Sequence, residues 1–358
     1  VHEVAVGPVH AGIIEPGHFR FQCHGETIHH LEIQLGYQHR GVEALLAGGP
    51  DRRGVFIAES VSGDTAVGHA LAYCSAYEAL AGARLSLRGS ALRAAALELE
   101  RLSNHIGDLG AMANDVGFLP AAAYFGRLRA EFLNMLMALS GNRFGRGLVR
   151  PGGAAFDLTG DMARDFSVRL ARARTDVSSI GDLLFDSSSV LGRFDETGVV
   201  RRQTALDLGF VGLAARASGL DLDVRRDHSD GFYRFRHIPV VKMESGDVYA
   251  RAMLRYLEAL RSLDFLEELA PNLPRGAAFA ACPAPRAGLF SIALVEGWRG
   301  EIVHTAETGP DGRFRSYRIV DPSFHNWPAV AMAMRGGEIS DFPLCNKSFN
   351  LSYAGHDL

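Results

Sequence analysis

Residues 59–80 read ESVSGDTAVGHALAYCSAYEAL, and two polar groups there stand at a spacing that carries chemistry. Ser62 and Thr65, with two residues between them, lie at the start of a predicted helix. Side chains so placed share one helical turn, an arrangement that holds a metal when both are Cys or His. Hydroxyls are hard donors that stay protonated near neutral pH unless a metal acidifies them strongly. The residues alone support two readings. Either the hydroxyls cap the first turn of the helix, or they point into a pocket and bind a polar ligand.

Other reactive side chains are dispersed. His24, His29, His30 and His39 are near in sequence but alternate across a strand and a turn, which points to surface or hydrogen-bonded roles. The four cysteines, Cys23, Cys74, Cys282 and Cys345, form no C-x-x-C pair and read as reduced thiols of a cytosolic protein. Cys74 and Cys345 are expected to be small buried residues, and Tyr73 a packing residue. Glu43, after "HRG", is a proton-path acid or an ion-pair partner. Asp221, Asp223, Arg225 and Arg226 read as an interface charge network.

The elements that must position these groups are mostly helical. Phe19, Phe21 and Cys23 alternate, a turn falls at Gly25, and Leu31, Ile33 and Leu35 alternate on the return, which is a hairpin. "GYQHRGVEALL" starts a helix. Ser90 is placed to cap a helix whose stripe is Leu92, Ala96, Leu99, Leu102, Ile106 and Leu109. Leu128 to Leu139 and Phe166 to Leu184 repeat the three–four spacing, and "RPGG" at 150–153 separates them. A fourth long helix is predicted over about 247–269. "SIALVEGWRGEIVH" reads as two strands joined at Gly297–Gly300. The tail is predicted to hold one short helix near 327–335, then an irregular stretch. The class is α+β, mainly α: a central long-helix bundle with small peripheral β-sheets. One domain is expected over 1–358, with a hairpin region (1–50), a helical core (51–270) and a mixed region closing a cleft (271–358).

Composition bounds the function. A 358-residue chain with 22% charged residues suits a large globular core. A net charge of −4 argues against nucleic-acid binding. The N-terminal residues lack a signal-peptide pattern, and no apolar run reaches the roughly 18–20 residues of a membrane span.

"GPVHAG", "LGYQHRGVE", "ERLSNH", "RPGG", "RASG" followed by "DVR", and "EGWRG" occur in this order over about residues 5–358. In these motifs the chain resembles the superfamily that unites the large subunits of membrane-bound [NiFe] hydrogenases with the D subunit of respiratory complex I. The resemblance implies a hydrogenase large-subunit-like fold. In those hydrogenases two C-x-x-C pairs hold nickel and iron. Here the four thiolate positions carry Ser62, Thr65, Ser352 and Gly355. A low-valent Ni–Fe centre needs soft bridging thiolates, so no metal is expected. The surrounding frame is retained. Glu59, Gly63 and His69 match their counterparts, and Arg299-Gly300 matches the Arg-Gly pair that overhangs the metal pocket.

The complex I branch, by the same resemblance, uses this cleft as a quinone headgroup chamber with a Tyr, a His and an Asp. Reduction of a quinone takes two electrons and two protons, so proton donors must stand beside its carbonyls. Asp115 matches the Asp, and His10 or His18 the His. The Tyr is missing, with Ser60 its nearest counterpart and Tyr73 a substitute. The candidate catalytic set is thus His10, His18, Asp115 and Glu59. Arg101 and His105 are expected, by resemblance, to face an iron–sulfur cluster of a partner and raise its potential, or to form a helix salt bridge such as Glu98–Arg101.

The resemblance implies a nickel-free subunit of a complex I-like, membrane-associated oxidoreductase (NADH–quinone oxidoreductase-like), taking electrons from a partner's iron–sulfur cluster to a quinone-like acceptor or coupling redox state to ion translocation. It would bind no cofactor itself, with a quinone at the cleft and a [4Fe-4S] cluster on a partner. NAD would be handled elsewhere in the assembly, since no dinucleotide fingerprint occurs. Implied partners are a small iron–sulfur subunit, a complex I C-like subunit, a ferredoxin-like subunit and a membrane subunit of the quinone-channel type. The implied place is peripheral, on the cytoplasmic face of the inner membrane. Two other readings compete: a catalytically silent scaffold, and an active [NiFe] hydrogenase.

Overall fold

Three strands open the chain: β1 (His2–Val6), β2 (His18–His24) and β3 (Thr27–Gln34). They form one antiparallel sheet, described, like all that follows, by a computed structural model of residues 1–12 and 14–358. The alternation of Phe19, Phe21 and Cys23 buries all three. Phe19 pairs with Ile33 and Phe21 with Leu31, so the hairpin register follows the apolar pattern. β1 carries almost no buried side chain, which is why no apolar pattern announces it.

Short helices α1 (Val42–Leu46) and α2 (Gly54–Ala58) lead to α3 (Ala66–Ala81), α4 (Leu87–Asp115) and α5 (Leu119–Ser140). Helix α4 begins earlier than the stripe implies. Its cap is Ser86, whose hydroxyl accepts the Gly89 N–H at 2.9 Å, and Ser90 lies inside the helix. The first turn carries an exposed Leu87 followed by Arg88, Gly89 and Ser90, so the buried apolar spacing starts a turn late. From Ala91 to Ile106 every residue of α4 is buried, because α3, α5 and α11 pack around it.

The "RPGG" bend forms a two-residue ladder, β4 (Val149–Arg150) with β5 (Gly153–Ala154). Then come α6 (Gly160–Phe185), α7 (Ser188–Phe194), α8 (Arg202–Asp207), α9 (Gly212–Ala217), α10 (Val224–Asp227) and α11 (Val248–Leu269). Asp247 caps α11 through the Ala250 N–H at 2.8 Å. Strands β6 (Phe290–Glu296), β7 (Glu301–Thr308) and β8 (Phe314–Val320) form a second antiparallel sheet on α3. Alternate residues of β7, including His304, face inward.

The tail differs from its sequence-based expectation. It is helical over α12 (Pro322–Ala333), α13 (Phe342–Phe349) and α14 (Tyr353–Asp357). The last two are short and separated by Asn350 at φ 44°, so their periodicity covers too few turns to read. The main apolar core runs through α3, α4, α5, α6 and α11, and a second joins β2 and β3 to α12 and α13. The mainly α, α+β class stands as expected. Among the described residues no helix is long and apolar enough to cross a membrane.

Candidate functional site

Three chain segments converge at one cleft: the turn before α3, the β6–β7 turn, and the turn between α13 and α14. The β6–β7 turn is fixed by glycines. A Cβ on Gly300, at φ +141°, would lie 2.7 Å from the Cα of Gly212, so only glycine lets this turn pack on α9. That contact aims Arg299 back at α3. Arg40, from the "HRG" motif, ties the other two segments. Its guanidinium donates to the carbonyls of Ser60 (2.5 Å), Val61 (2.8 Å) and Ala354 (3.1 Å).

The four positions expected to surround a former metal pocket come together. Ser62 and Ser352 have their hydroxyl oxygens 3.0 Å apart. Ser352 caps α14 by accepting the Gly355 N–H at 2.8 Å. Thr65 accepts from the Trp298 indole at 3.1 Å. At their centre stands Asp64. Its Oδ1 is 2.9 Å from Ser62, 3.0 Å from Thr65 and 2.7 Å from Arg299 Nη1, and its Oδ2 is 2.8 Å from Arg299 Nη2. Each hydroxyl has one proton. Ser62 and Thr65 therefore donate to Asp64, and Ser352 donates to Ser62. Arg299 also donates to the Asn350 carbonyl at 2.5 Å and lies over the Trp298 ring at 3.9 Å.

Burial alone pushes the Asp64 carboxyl up. The Arg299 guanidinium and the two hydroxyls outweigh it and hold the group at about 2. Asp64 and Arg299 are thus a charged, bidentate pair.

The capping reading of Ser62 and Thr65 does not hold. Thr65 occupies the N-cap position of α3 but its side chain makes no capping bond. The charged acceptor Asp64 draws the hydroxyls away. Glu100 on α4 accepts the orphan Val67 and Gly68 N–H groups instead, at 2.7 and 3.0 Å. Burial raises the Glu100 carboxyl to about 8 against those two bonds.

A nickel–iron centre does not fit these donors. The four positions supply three hydroxyls and a glycine. Arg299 Nη1 lies 3.4 Å from Ser62 Oγ and 3.3 Å from Thr65 Oγ1, so a cation already stands against the positions a metal would use. Gly355 has its own reason to be bare. A Cβ there would lie 2.7 Å from Asp321 Oδ2.

The cleft in front of this cage has a volume of about 220 Å³. Glu15, Lys347, Asn346 and Asn350 line it together with Ser62, Asp64, Arg299 and Ser352. Lys347 makes no ion pair among the described residues. Asp64, Glu15 and Lys347 carry no sequence signal beyond their charge, and neither spacing nor motif singles them out.

The other expected site residues are elsewhere. His10 Nε2 is 2.6 Å from the Gly17 carbonyl and His18 Nδ1 is 3.2 Å from the Gly7 carbonyl. These bonds brace the loop that carries Glu15 to the cleft, and neither ring lines it. Glu59 is buried and accepts the Gly147 N–H at 2.7 Å, away from the cleft. Asp115 is exposed at the end of α4, with Lys347 the nearby cation acting on it. Tyr73 is 2% exposed, a packing residue. Cys74 and Cys345 are buried. Glu43 pairs with Arg318 at 2.7 Å.

Arg101 and His105 face the core rather than the surface, both at 0% exposure. Arg101 pairs with Glu258, lies 3.5 Å from Glu98, and donates to the Gly297 carbonyl at 2.7 Å. His105 Nε2 is 3.2 Å from Glu258, and burial lowers the imidazole to about 4, so it is neutral near pH 7. Any influence on a partner's cluster would act through the protein wall. The expected interface network divides in two. Asp221–Arg226 is exposed, whereas Asp223 and Arg225 are buried and join Glu98 and Arg216 in the same ionic core.

Comparison with known proteins places this geometry. Residues 115–289 match the family described as the respiratory-chain NADH dehydrogenase 49 Kd subunit. The alpha subunit of the membrane-bound hydrogenase of Pyrococcus furiosus is 30% identical over 360 residues, covering 95% of this chain and 83% of that one. A carbon monoxide-induced hydrogenase of Rhodospirillum rubrum is 29% identical over 98% of this chain and 97% of its own. The D subunit of NADH-quinone oxidoreductase from Dehalococcoides mccartyi is 29% identical over 94% and 92% respectively. Two relatives from Escherichia coli are longer, and the chain spans 61% and 62% of them.

Proposed function

The chain belongs to the family that joins membrane-bound hydrogenase large subunits to the D subunit of NADH-quinone oxidoreductase, and on that premise we propose that it is a nickel-free member acting on a quinone-like acceptor. As a member it is an oxidoreductase component. In the proposed reading it takes electrons from a [4Fe-4S] cluster on a small partner subunit and passes them to an acceptor in the cleft. Complex I C-like, ferredoxin-like and quinone-channel membrane subunits complete the assembly, on the cytoplasmic face of the membrane.

The observation that carries this reading is the Asp64–Arg299 pair. It supplies charge balance in the pocket without a metal, and the cleft before it keeps polar side chains. Those groups suit the carbonyl oxygens of a quinone headgroup, which gain negative charge on reduction. Lys347 and Arg299 offer cationic donors. Asp115, at the exposed end of α4 and within the influence of the cleft residue Lys347, serves as an acid, and His18 braces the Glu15 loop.

Quinone titration of the assembled complex tests the proposal. Donor-driven turnover is expected to saturate with quinone, and to fall in Asp115→Asn and in His18→Ala. Turnover without any quinone dependence would reduce the chain to a scaffold.

A further inference from the structure

Behind the cleft wall four buried side chains form an unbroken hydrogen-bonded line. Tyr317 Oη is 2.8 Å from His304 Nδ1, His304 Nε2 is 3.0 Å from His69 Nδ1, and His69 Nε2 is 3.0 Å from Asp321 Oδ2. Each of the four is 4% exposed or less, with both histidines at 0%. They come from three elements and a cap: β8, β7, α3 and the residue before α12. We propose that Tyr317, His304, His69 and Asp321 are a proton relay that feeds the cleft from its rear.

With both imidazoles neutral, one arrangement of protons satisfies every bond. The Asp321 carboxylate accepts, so His69 carries its proton on Nε2. Its Nδ1 is then an acceptor, so His304 carries its proton on Nε2 as well. His304 Nδ1 accepts in turn from the Tyr317 hydroxyl. Every donor points toward Asp321. Burial holds the His304 imidazole well below its ordinary value, so this ring is neutral.

Transfer is then a shift of one bond for each proton. Tyr317 gives its phenol proton to His304 Nδ1, His304 gives its Nε2 proton to His69 Nδ1, and His69 gives its Nε2 proton to Asp321 Oδ2. Tyr317 regains its proton from a hydronium ion of the solvent, which becomes water. The sum is one proton moved from hydronium to Asp321, with no electron transferred and the carboxylate neutralised. The rings then turn to restore the starting tautomers.

At the outer end, the Tyr317 ring packs at 5.8 Å against Tyr73, whose buried ring forms part of the wall of a broad surface groove of about 1030 Å³. Asp321 lies against Gly355, where any side chain would displace its carboxylate. Its other oxygen accepts the Ser323 N–H at 2.8 Å, and Ser323 Oγ accepts the Ser352 N–H at 2.8 Å. The carboxylate is therefore tied through Ser323 to the backbone of Ser352, whose hydroxyl pairs with Ser62. A purely structural pairing needs no imidazole-to-imidazole bond, since one histidine and one amide would satisfy Asp321.

The relay rests on the proposed use of the cleft as a site of reduction, and the test separates the two. In the assembled complex, donor-driven quinone reduction is measured in H2O and D2O. Tyr317→Phe keeps the ring packing but removes the proton. It and His304→Gln are each expected to lower kcat about a hundredfold, with KM for quinone unchanged. Unchanged kcat and deuterium effect in Tyr317→Phe would overturn the relay. If the unsubstituted complex reduces no quinone, the proposed function fails, and the relay is read from histidine ring 15N shifts of the same complex. Neutral His69 and His304, both protonated on Nε2, are expected. A His304 protonated on Nδ1 would overturn it.

Discussion

Glu258→Gln is expected to destabilise the chain by about 3–5 kcal/mol, the usual cost of removing one partner from a buried ion pair. Glu258 is 2% exposed. It pairs with Arg101 and lies 2.8 Å from Arg216 and 3.2 Å from His105. Burial pushes its carboxyl up, yet Arg216 and Arg101 outweigh burial and keep it ionised. Gln keeps the shape and loses the charge, so two guanidiniums at 0% exposure are left undercompensated. Denaturant unfolding of the chain within its assembly, or its recovery in the soluble fraction, measures the effect. Wild-type stability in Glu258→Gln would mean that Glu98, Asp223 and Glu296 balance the two arginines without Glu258, and that the ionic core is not held from α11.

The second large effect concerns the Asp64–Arg299 pair. Arg299→Gln leaves Asp64 with two hydroxyls and no cation, and Asp64→Asn leaves a guanidinium 4% exposed without its partner. Each change is expected to cost about 2–4 kcal/mol, the double variant less than the sum, with a coupling of about 1–3 kcal/mol. The sign of the pH dependence follows from Asp64. Its folded value of about 2 lies below its ordinary 3.8. Its stabilising contribution is complete above pH 3.8 and is lost as the pH falls toward 2. Asp64→Asn is expected to flatten that acid limb. An unchanged acid limb would show that the carboxylate is not paired in solution.

Much of this architecture is legible in sequence because long helices and alternating strands repeat their signal. Leu99, Leu102, Ile106 and Leu109 mark one face of α4, and Phe19, Phe21 and Cys23 one face of β2, several times over. The site is legible in a different way. Ser62, Thr65, Ser352 and Gly355 gather at one cleft, and Arg299 joins them, as the motif resemblance implies.

The groups that sequence does not reveal have no period. Asp64 is a single charge between two hydroxyls, and its partner is 235 positions away. The same separation divides His69 from His304. Their contact depends on the inward phase of β7 against α3, which neither segment announces alone. Asp321 caps α12, and its second oxygen is used by a residue from α3. By resemblance Arg101 and His105 belong at a surface, whereas helix α4 is enclosed on all sides there.

The central claim is that an ion pair and hydroxyls have taken over the position of a thiolate-bound metal pair. Nickel counted per chain in the purified, active assembly, with hydrogen evolution assayed on the same sample, tests it most directly. Electron transfer to quinone with neither bound nickel nor hydrogen evolution is the predicted result. One nickel per chain, or hydrogen evolution that tracks the nickel content, would contradict it.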